Sequence, residues 1–302
     1  MRIAIFTESF YPNKDGTAYT VFNHAINLIK RGHEVIIFAP NNKFKYYEEL
    51  INGLKIYRLP SIPIFLYRQY RLSIPLYYKV KKILKDFNAD AIHSHNPFSA
   101  GRLALRLAEK FSIPILGSCH HLPHNFLESI AKIREISNRK FLLNRIWSVL
   151  IKYYNRCNFV TLPSKFGLNN MKKMGLKVPS KVLSNGIDLN RFNLRNDPSE
   201  LIKRYDIPDG KIVLHAGRLA GERKVDLIIK AAPLIIKKVP NTHFIIVGDG
   251  RERNNLQSFV KQLHLEKYFT FTSFLSHEDY PKIFPIVDVF FYQTLNPIFH
   301  TP

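Results

Sequence analysis

The feature that most constrains this chain is an alternation that runs from end to end: a short apolar run, a polar loop, a stretch of helical period, then another apolar run. RIAIF (residues 2–6) leads through a polar loop with Pro12 and Gly16 into a helical pattern from Val21 to Leu28, which stops at Arg31-Gly32 before EVIIFAP. Short apolar runs bounded by turn residues read as buried strands, and strand, helix, strand in succession reads as a parallel βαβ unit. The rhythm continues through KIYRL, a basic helix over 77–87, ADAIHSH, a helix over 100–110, IPILGS, a long helical stretch over 127–156, NFVTLPS, a short helix over 166–174 and KVLSNGID. After the polar patch NLRNDPSE, which reads as a linker, it resumes with KIVLHAG, a helix over 225–237, THFIIVGDG, a helix over 256–264, YFTFTSF, a short helix over 280–284 and DVFFYQT. The expected fold class is α/β, with two Rossmann-like, doubly wound parallel-sheet domains, 1–195 and 196–302. Such sheets present ligands at the polar loops that follow their strands.

Composition enters as a set of exclusions. With 46% apolar residues in 302 the chain can fill two cores, so global disorder is excluded. Cys119 and Cys157 make no disulfide framework and stand in no metal-ligand spacing. The N-terminal apolar run is too short for a signal-peptide core, and no run approaches the roughly 18 apolar residues of a spanning helix. A reduced, cytoplasmic setting is expected. The net charge of +22 is concentrated: residues 51–195 hold 25 Lys and Arg against 6 Asp and Glu, while residues 251–302 hold 5 of each. A basic surface of this kind suits an anionic substrate, an anionic bilayer or nucleic acid; a solvated face kept for solubility is the plainer alternative. Nucleic acid is set aside because no recognition module accompanies the charge.

Five places could carry chemistry. Gly16, in Asp15-Gly16-Thr17, opens the first helix, where backbone N–H groups can meet an anion, although a simple turn glycine would look the same. Neither GxGxxG nor GxxxxGK[ST] is present. In GSCHHLPH, His120, His121 and His124 can share protons with a hydroxyl or donate to phosphate. No carboxylate stands beside them at ligand spacing, so no metal is expected. His93 and His95 alternate at another strand end, lining a cleft or serving as hydrogen-bonded structural groups. In HAGRLAGERK, Arg218 follows Gly217 at a strand end and Lys224 precedes a helix, a combination suited to clamping a diphosphate without a metal ion. In VGDG, Gly248, Asp249 and Gly250 form a tight turn that admits a ligand to the backbone.

In these motifs the chain resembles the retaining GT-B glycosyltransferases of family 4, the glycosyl transferases group 1 type that includes lipid glucosyltransferases and phosphatidylinositol mannosyltransferases. The resemblance rests on RIAIFTESFYPNKDGT, HSHNP, Ser118-Cys119-His120, Pro163-Ser164, Asn185-Gly186-Ile187-Asp188 with Phe192, Gly217-Arg218-Leu219 with Lys224, and Gly248 with Gly250. It implies two domains facing a cleft and a nucleotide-sugar donor such as a UDP- or GDP-hexose. Arg218, Lys224 and Gly16 would hold the diphosphate, Gly248 to Gly250 would take the nucleotide, and His120 would act at the reaction centre. The acceptor would be a lipid or a glycan, and no cofactor or metal would be needed.

One departure stands out. The family's E-x7-E pair falls, on alignment of Thr294 to His300, at Pro297 and at a position beyond Pro302. The expectation is a fragment of a longer product or an impaired enzyme, with a non-catalytic binding protein or partner subunit of a complete transferase as the alternative. Ser273 stands where relatives commonly carry glycine. Two basic, aromatic stretches, Tyr67 to Lys85 and Lys132 to Arg156, have the spacing of amphipathic segments that could lie on an anionic membrane, or simply face the core with their lysines solvated.

Overall fold

The computed structural model describes the whole chain apart from residues 14, 65–66, 121, 123–138 and 294–302. The chain divides into two compact units, Met1–Gly186 and Ile187–Pro302, each with its own sheet and core.

The first unit runs β1 (Arg2–Phe6), α1 (Gly16–Lys30), β2 (Glu34–Pro40), β3 (Tyr47–Ile51), β4 (Leu54–Leu59), β5 (Ser61–Ile64), β6 (Tyr67–Ser73), α2 (Tyr77–Phe87), β7 (Ala91–Ser94), α3 (Ser99–Phe111), β8 (Ile115–Ser118), α4 (Arg139–Tyr154), β9 (Phe159–Leu162), α5 (Lys165–Lys173) and β10 (Ser180–Val182). Its main sheet has the order β10-β9-β8-β7-β1-β2-β4-β3. The β3–β4 pair is antiparallel and the other neighbours are parallel. Alternate residues serve opposite faces: Ala4, Phe6, Ile36 and Phe38 join one core, while Ile5, Val35, Ile37 and Ala39 join the other. Burial on both faces explains why these strands read as unbroken apolar runs. Because β1 lies between β2 and β7, the order reverses at the ends of β1 and β7, where doubly wound sheets open a crevice.

Helix α4 fixes those strand ends. It buries Trp147, Leu150, Ile151, Tyr153 and Tyr154. Tyr153 Oη donates to Ser94 Oγ (2.6 Å) and Tyr154 Oη to the Ser118 carbonyl (3.1 Å).

The second unit contains α6 (Ser199–Tyr205), β11 (Lys211–Ala216), a 3-10 turn (Gly221–Arg223), α7 (Asp226–Lys238), β12 (Thr242–Val247), α8 (Arg253–Gln262), β13 (Phe269–Ser273), a 3-10 segment (Tyr280–Ile286) and β14 (Val289–Phe290). The parallel sheet has the order β13-β12-β11-β14, so β11 is its switch strand. Phe244 and Ile246 of β12 face one core, Ile245 and Val247 the other.

The sequence rhythm missed strands β3, β5 and β6 and helix α6. Within the basic stretch 67–85, residues Tyr67–Ser73 form a strand paired antiparallel with β5, and only Tyr77–Phe87 is helical. Pro75 accounts for the break, since it disfavours helical backbone at the residue before it and lacks an amide donor. In α2 and α4 the apolar stripes face the core, as Val80, Leu84, Trp147 and Ile151 are buried, while Tyr78 and Phe141 remain exposed. No helix among the described residues is long and apolar enough to cross a membrane.

Candidate functional site

In the first unit the candidate residues gather at the ends of β1, β7 and β8. Asp15 caps α1, with Oδ1 accepting from the Ala18 amide (2.9 Å) and Oδ2 from Ser9 Oγ. Gly16 is therefore the first helical residue, and a methyl group there would meet nothing within 4 Å. Just beyond β1, Glu8 is buried and accepts from the Ala100 amide (2.6 Å) at the start of α3 and from the Ser73 amide and hydroxyl (2.9 and 2.8 Å). Burial pushes its carboxyl up to about 7 against the opposing pull of those donors.

The histidines form a connected group. His93 Nε2 shares a 2.7 Å hydrogen bond with Ser118 Oγ, which lies 2.8 Å from Thr161 Oγ1. His95 Nδ1 lies 2.9 Å from His120 Nε2, and the two rings are nearly coplanar in orientation, 4° apart with centroids at 5.2 Å. Burial, reinforced by the neighbouring imidazoles, pushes His93 down to about 3 and His95 well below the ordinary imidazole value. Both are neutral at physiological pH. Sequence reading singled out His93, His95 and His120 separately; the fold brings them together. His121 and His124 lie outside the described residues. Sequence reading missed His24 on α1, whose ring centroid lies 6.1 Å from that of His93 and 5.7 Å from that of His95. The signal was its place in the inward stripe of Thr17, Thr20, Val21 and Ala25, where a polar ring calls for a reason.

In the second unit three loops are joined through their backbones at the end of β11. The Gly217 amide donates to the Val247 carbonyl (2.9 Å), the Leu219 amide to Asp249 (2.9 Å), the Gly248 amide to Ser273 (2.8 Å) and the Glu252 amide to Leu219 (3.1 Å). Glycine is required at two positions. Gly248 has φ +136°, and a Cβ there would stand 1.8 Å from the Gly217 carbonyl oxygen; at Gly250 it would stand 2.2 Å from that of Leu219. Arg218 follows β11 directly and is half-buried. Lys224 lies two residues before α7 and takes a left-handed backbone, φ +49°. Ser273, at the position flagged as unusual, also has positive φ (+62°), and its hydroxyl accepts from Arg253. Non-glycine residues in this region carry about 1 kcal/mol of strain and cluster at ligand sites. Arg253 also lies 3.7 Å from Asp249, whose Oδ1 accepts from the Gly250 amide. Thr294 to His300, on which the carboxylate comparison rests, are outside the described residues.

Residues 14–191 match the model of Glycosyltransferase Family 4, and residues 198–296 match Glycosyl transferases group 1. The chain belongs to Glycosyltransferase Family 4. Among the relatives of this family 4 chain, an alpha-monoglucosyldiacylglycerol synthase of Streptococcus pneumoniae is 26% identical over 298 residues, covering 96% of this chain and 65% of the relative. A GDP-mannose-dependent alpha-mannosyltransferase of Corynebacterium glutamicum is also 26% identical, with 96% of this chain and 66% of the relative covered. The chain thus spans about two thirds of the length of these curated relatives. Sucrose-phosphate synthase of Thermosynechococcus elongatus superposes with TM-score 0.72 at 16% identity, covering 98% of this chain and 77% of that structure. HepE of Anabaena, in a complex with UDP and glucose, superposes with TM-score 0.70 at 18% identity, covering 98% and 74%. The fold of this family 4 chain is the GT-B fold, built of parallel-sheet α/β units.

Proposed function

We propose that the protein moves a hexose from a nucleotide-sugar donor to a lipid or glycan acceptor with retention of anomeric configuration. The observation that carries this reading is the loop cluster at the end of β11. Two glycines there let the loop backbones pack directly on one another, with Arg218 at the strand end and Lys224 ahead of α7. A guanidinium fork, an ammonium and a helix N-terminus form a cationic cradle for a diphosphate. As the bond between sugar and diphosphate breaks, negative charge grows on the leaving phosphate, and fixed cations that hold it more tightly then lower the barrier. The same diphosphate oxygen takes the acceptor proton, so no metal is asked to do either job. In the first unit, Gly16 offers backbone donors at the start of α1, and His120, whose Nε2 is held by His95, is the candidate for contact with the sugar or the acceptor. Relatives that act on a diacylglycerol and on GDP-mannose support a lipid acceptor and a nucleotide donor. The protein works peripherally at an anionic membrane surface on its cytoplasmic side.

The test is calorimetry with UDP-glucose and GDP-mannose, followed by radiolabel transfer to diacylglycerol or phosphatidylinositol in detergent. Binding of one donor with turnover is expected, and Arg218→Ala should reduce kcat/KM by about 10²–10³-fold, the scale of one lost transition-state contact. Donor binding without transfer to any acceptor would favour a non-catalytic binding protein, and absence of donor binding would end the reading.

A further inference from the structure

The transfer reaction makes no use of the histidine group as a whole. His24 comes from α1, His93 and His95 from the end of β7, and one ring nitrogen of each lies within 4.8 Å of the other two. Three neutral imidazoles packed together repay little by themselves, because each ring has a polar nitrogen that burial takes away from water. The fold nonetheless holds them in place. Ser118 of β8, itself hydrogen-bonded to Thr161 of β9, braces the ring of His93. His120 braces His95 at Nδ1. The other nitrogen of His95, Nε2, is fully buried, belongs to a residue only 1% exposed and has no hydrogen-bond partner. A native fold rarely leaves such an atom empty-handed, because nothing repays its loss of water.

We infer that His24, His93 and His95 form a binding site for a divalent transition metal of zinc type. Three imidazoles with a fourth position open are a donor set that Zn²⁺ takes readily, whereas Mg²⁺ and Ca²⁺ require oxygen. Zinc–nitrogen bonds of 2.0–2.1 Å in a tetrahedral array put ligand nitrogens ~3.3 Å apart, so the rings close on the ion by small side-chain rotations rather than by backbone movement. Each neutral imidazole carries one lone-pair nitrogen that can serve as a ligand. Hydrogen bonds from a ligand's second ring nitrogen, as His95 makes to His120, are the usual supporting shell of such a site. With the metal on Nε2, the Nδ1 of His95 keeps its proton and donates it to His120 Nε2. The site therefore ties α1 to the end of β7 and holds His120 in one tautomer and one orientation.

Metal binding tests this without any glycosyl donor, so its outcome is separate from that of the transferase reading. Untagged, metal-stripped protein is titrated with Zn²⁺ against a chromophoric chelator, and with Co²⁺ while the visible d–d absorption is followed. One equivalent at micromolar affinity or tighter, with the intense spectrum of four-coordinate Co²⁺, is expected. His24 lies on the half-buried side of α1 and takes no part in the proposed transfer, so His24→Ala should keep the apo melting temperature while loosening the metal at least 100-fold. His24→Cys, which supplies another zinc ligand, should recover most of the affinity and shift the Co²⁺ bands by adding a thiolate. Absence of a stoichiometric site in the parent protein, or one equivalent retained by His24→Ala, overturns the assignment.

Discussion

At the scale of single residues, two kinds of buried titratable group oppose each other in the first unit. His93 and His95 have imidazoles depressed by burial, His93 to about 3, so in acid the unfolded chain binds protons that the native state refuses. Their stabilising effect is complete above pH 6.5 and is lost as pH falls from there, for His93 down to about 3, at up to about 1.4 kcal/mol per pH unit for each group. Glu8 has the opposite sign. Its native carboxyl titrates near 7 against an ordinary value of 4.5, so it favours the fold below pH 4.5 and loses that contribution as pH rises to 7. Between pH 4.5 and 6.5 the two histidines outweigh the one carboxyl, and stability should fall on acidification. Glu8→Gln keeps the shape and removes the opposing slope. The variant should lose stability more steeply than the parent between pH 7 and 4.5, in denaturant unfolding followed by the fluorescence of buried Trp147; an unchanged slope would sink the assignment. His93, His95 and His120 were legible in the sequence as chemistry-bearing residues because they stand at strand ends. Their mutual contacts were not, since only the parallel pairing of β7 with β8 puts residues some 25 positions apart side by side.

At the scale of elements, the strand-loop junctions divide into positions where glycine is obligatory and positions where it is free. Gly248 combines a backbone that side chains rarely adopt with a neighbour that is itself backbone and cannot move aside. Gly248→Ala should cost about 3 kcal/mol or more, from backbone strain and overpacking together, read as a fall in the far-UV circular dichroism midpoint. Gly16 is the contrast, because a methyl there meets open space. Gly16→Ala should leave stability within about 0.5 kcal/mol yet raise the donor KM, since the methyl occupies space at a proposed phosphate site. A lost midpoint for Gly16→Ala, or a normal one for Gly248→Ala, would contradict the loop geometry. Strands and helices were readable from periodicity wherever both sheet faces are buried. The β5–β6 hairpin was not, because its alternating basic and aromatic residues fit a helical face as well as a strand, and Pro75 alone marks the change. Ser273 was visible as a residue out of place; that it takes a left-handed backbone beside Arg253 needed the fold.

At the scale of the whole molecule, the charge is unevenly placed and a single mechanism can be tested against it. Residues 51–195 carry a net +19, and much of this lies on elements whose apolar side is already occupied by the core. In α2, Val80 and Leu84 point inward, while Lys79, Lys82 and Lys85 are exposed together with Tyr78, 83% accessible. A helix with its apolar stripe consumed has little to insert into a bilayer, so attraction must come from the lysines, helped at the interface by an aromatic ring. Each cation near an anionic surface is worth about 1 kcal/mol and is screened within a Debye length of about 8 Å at physiological salt. Binding should therefore require anionic lipid and weaken steadily as salt rises. Replacing Lys79, Lys82 and Lys85 together by Gln should weaken association with phosphatidylserine-containing vesicles by about two orders of magnitude and lower the melting temperature only slightly, because all three side chains are exposed and Lys79 gives up its cation–π contact over Tyr46. Vesicle flotation in low and high salt provides the measurement. Equal binding to neutral vesicles, or binding indifferent to salt and to the triple substitution, would mean that the basic surface serves solubility and that the acceptor reaches the protein by another route.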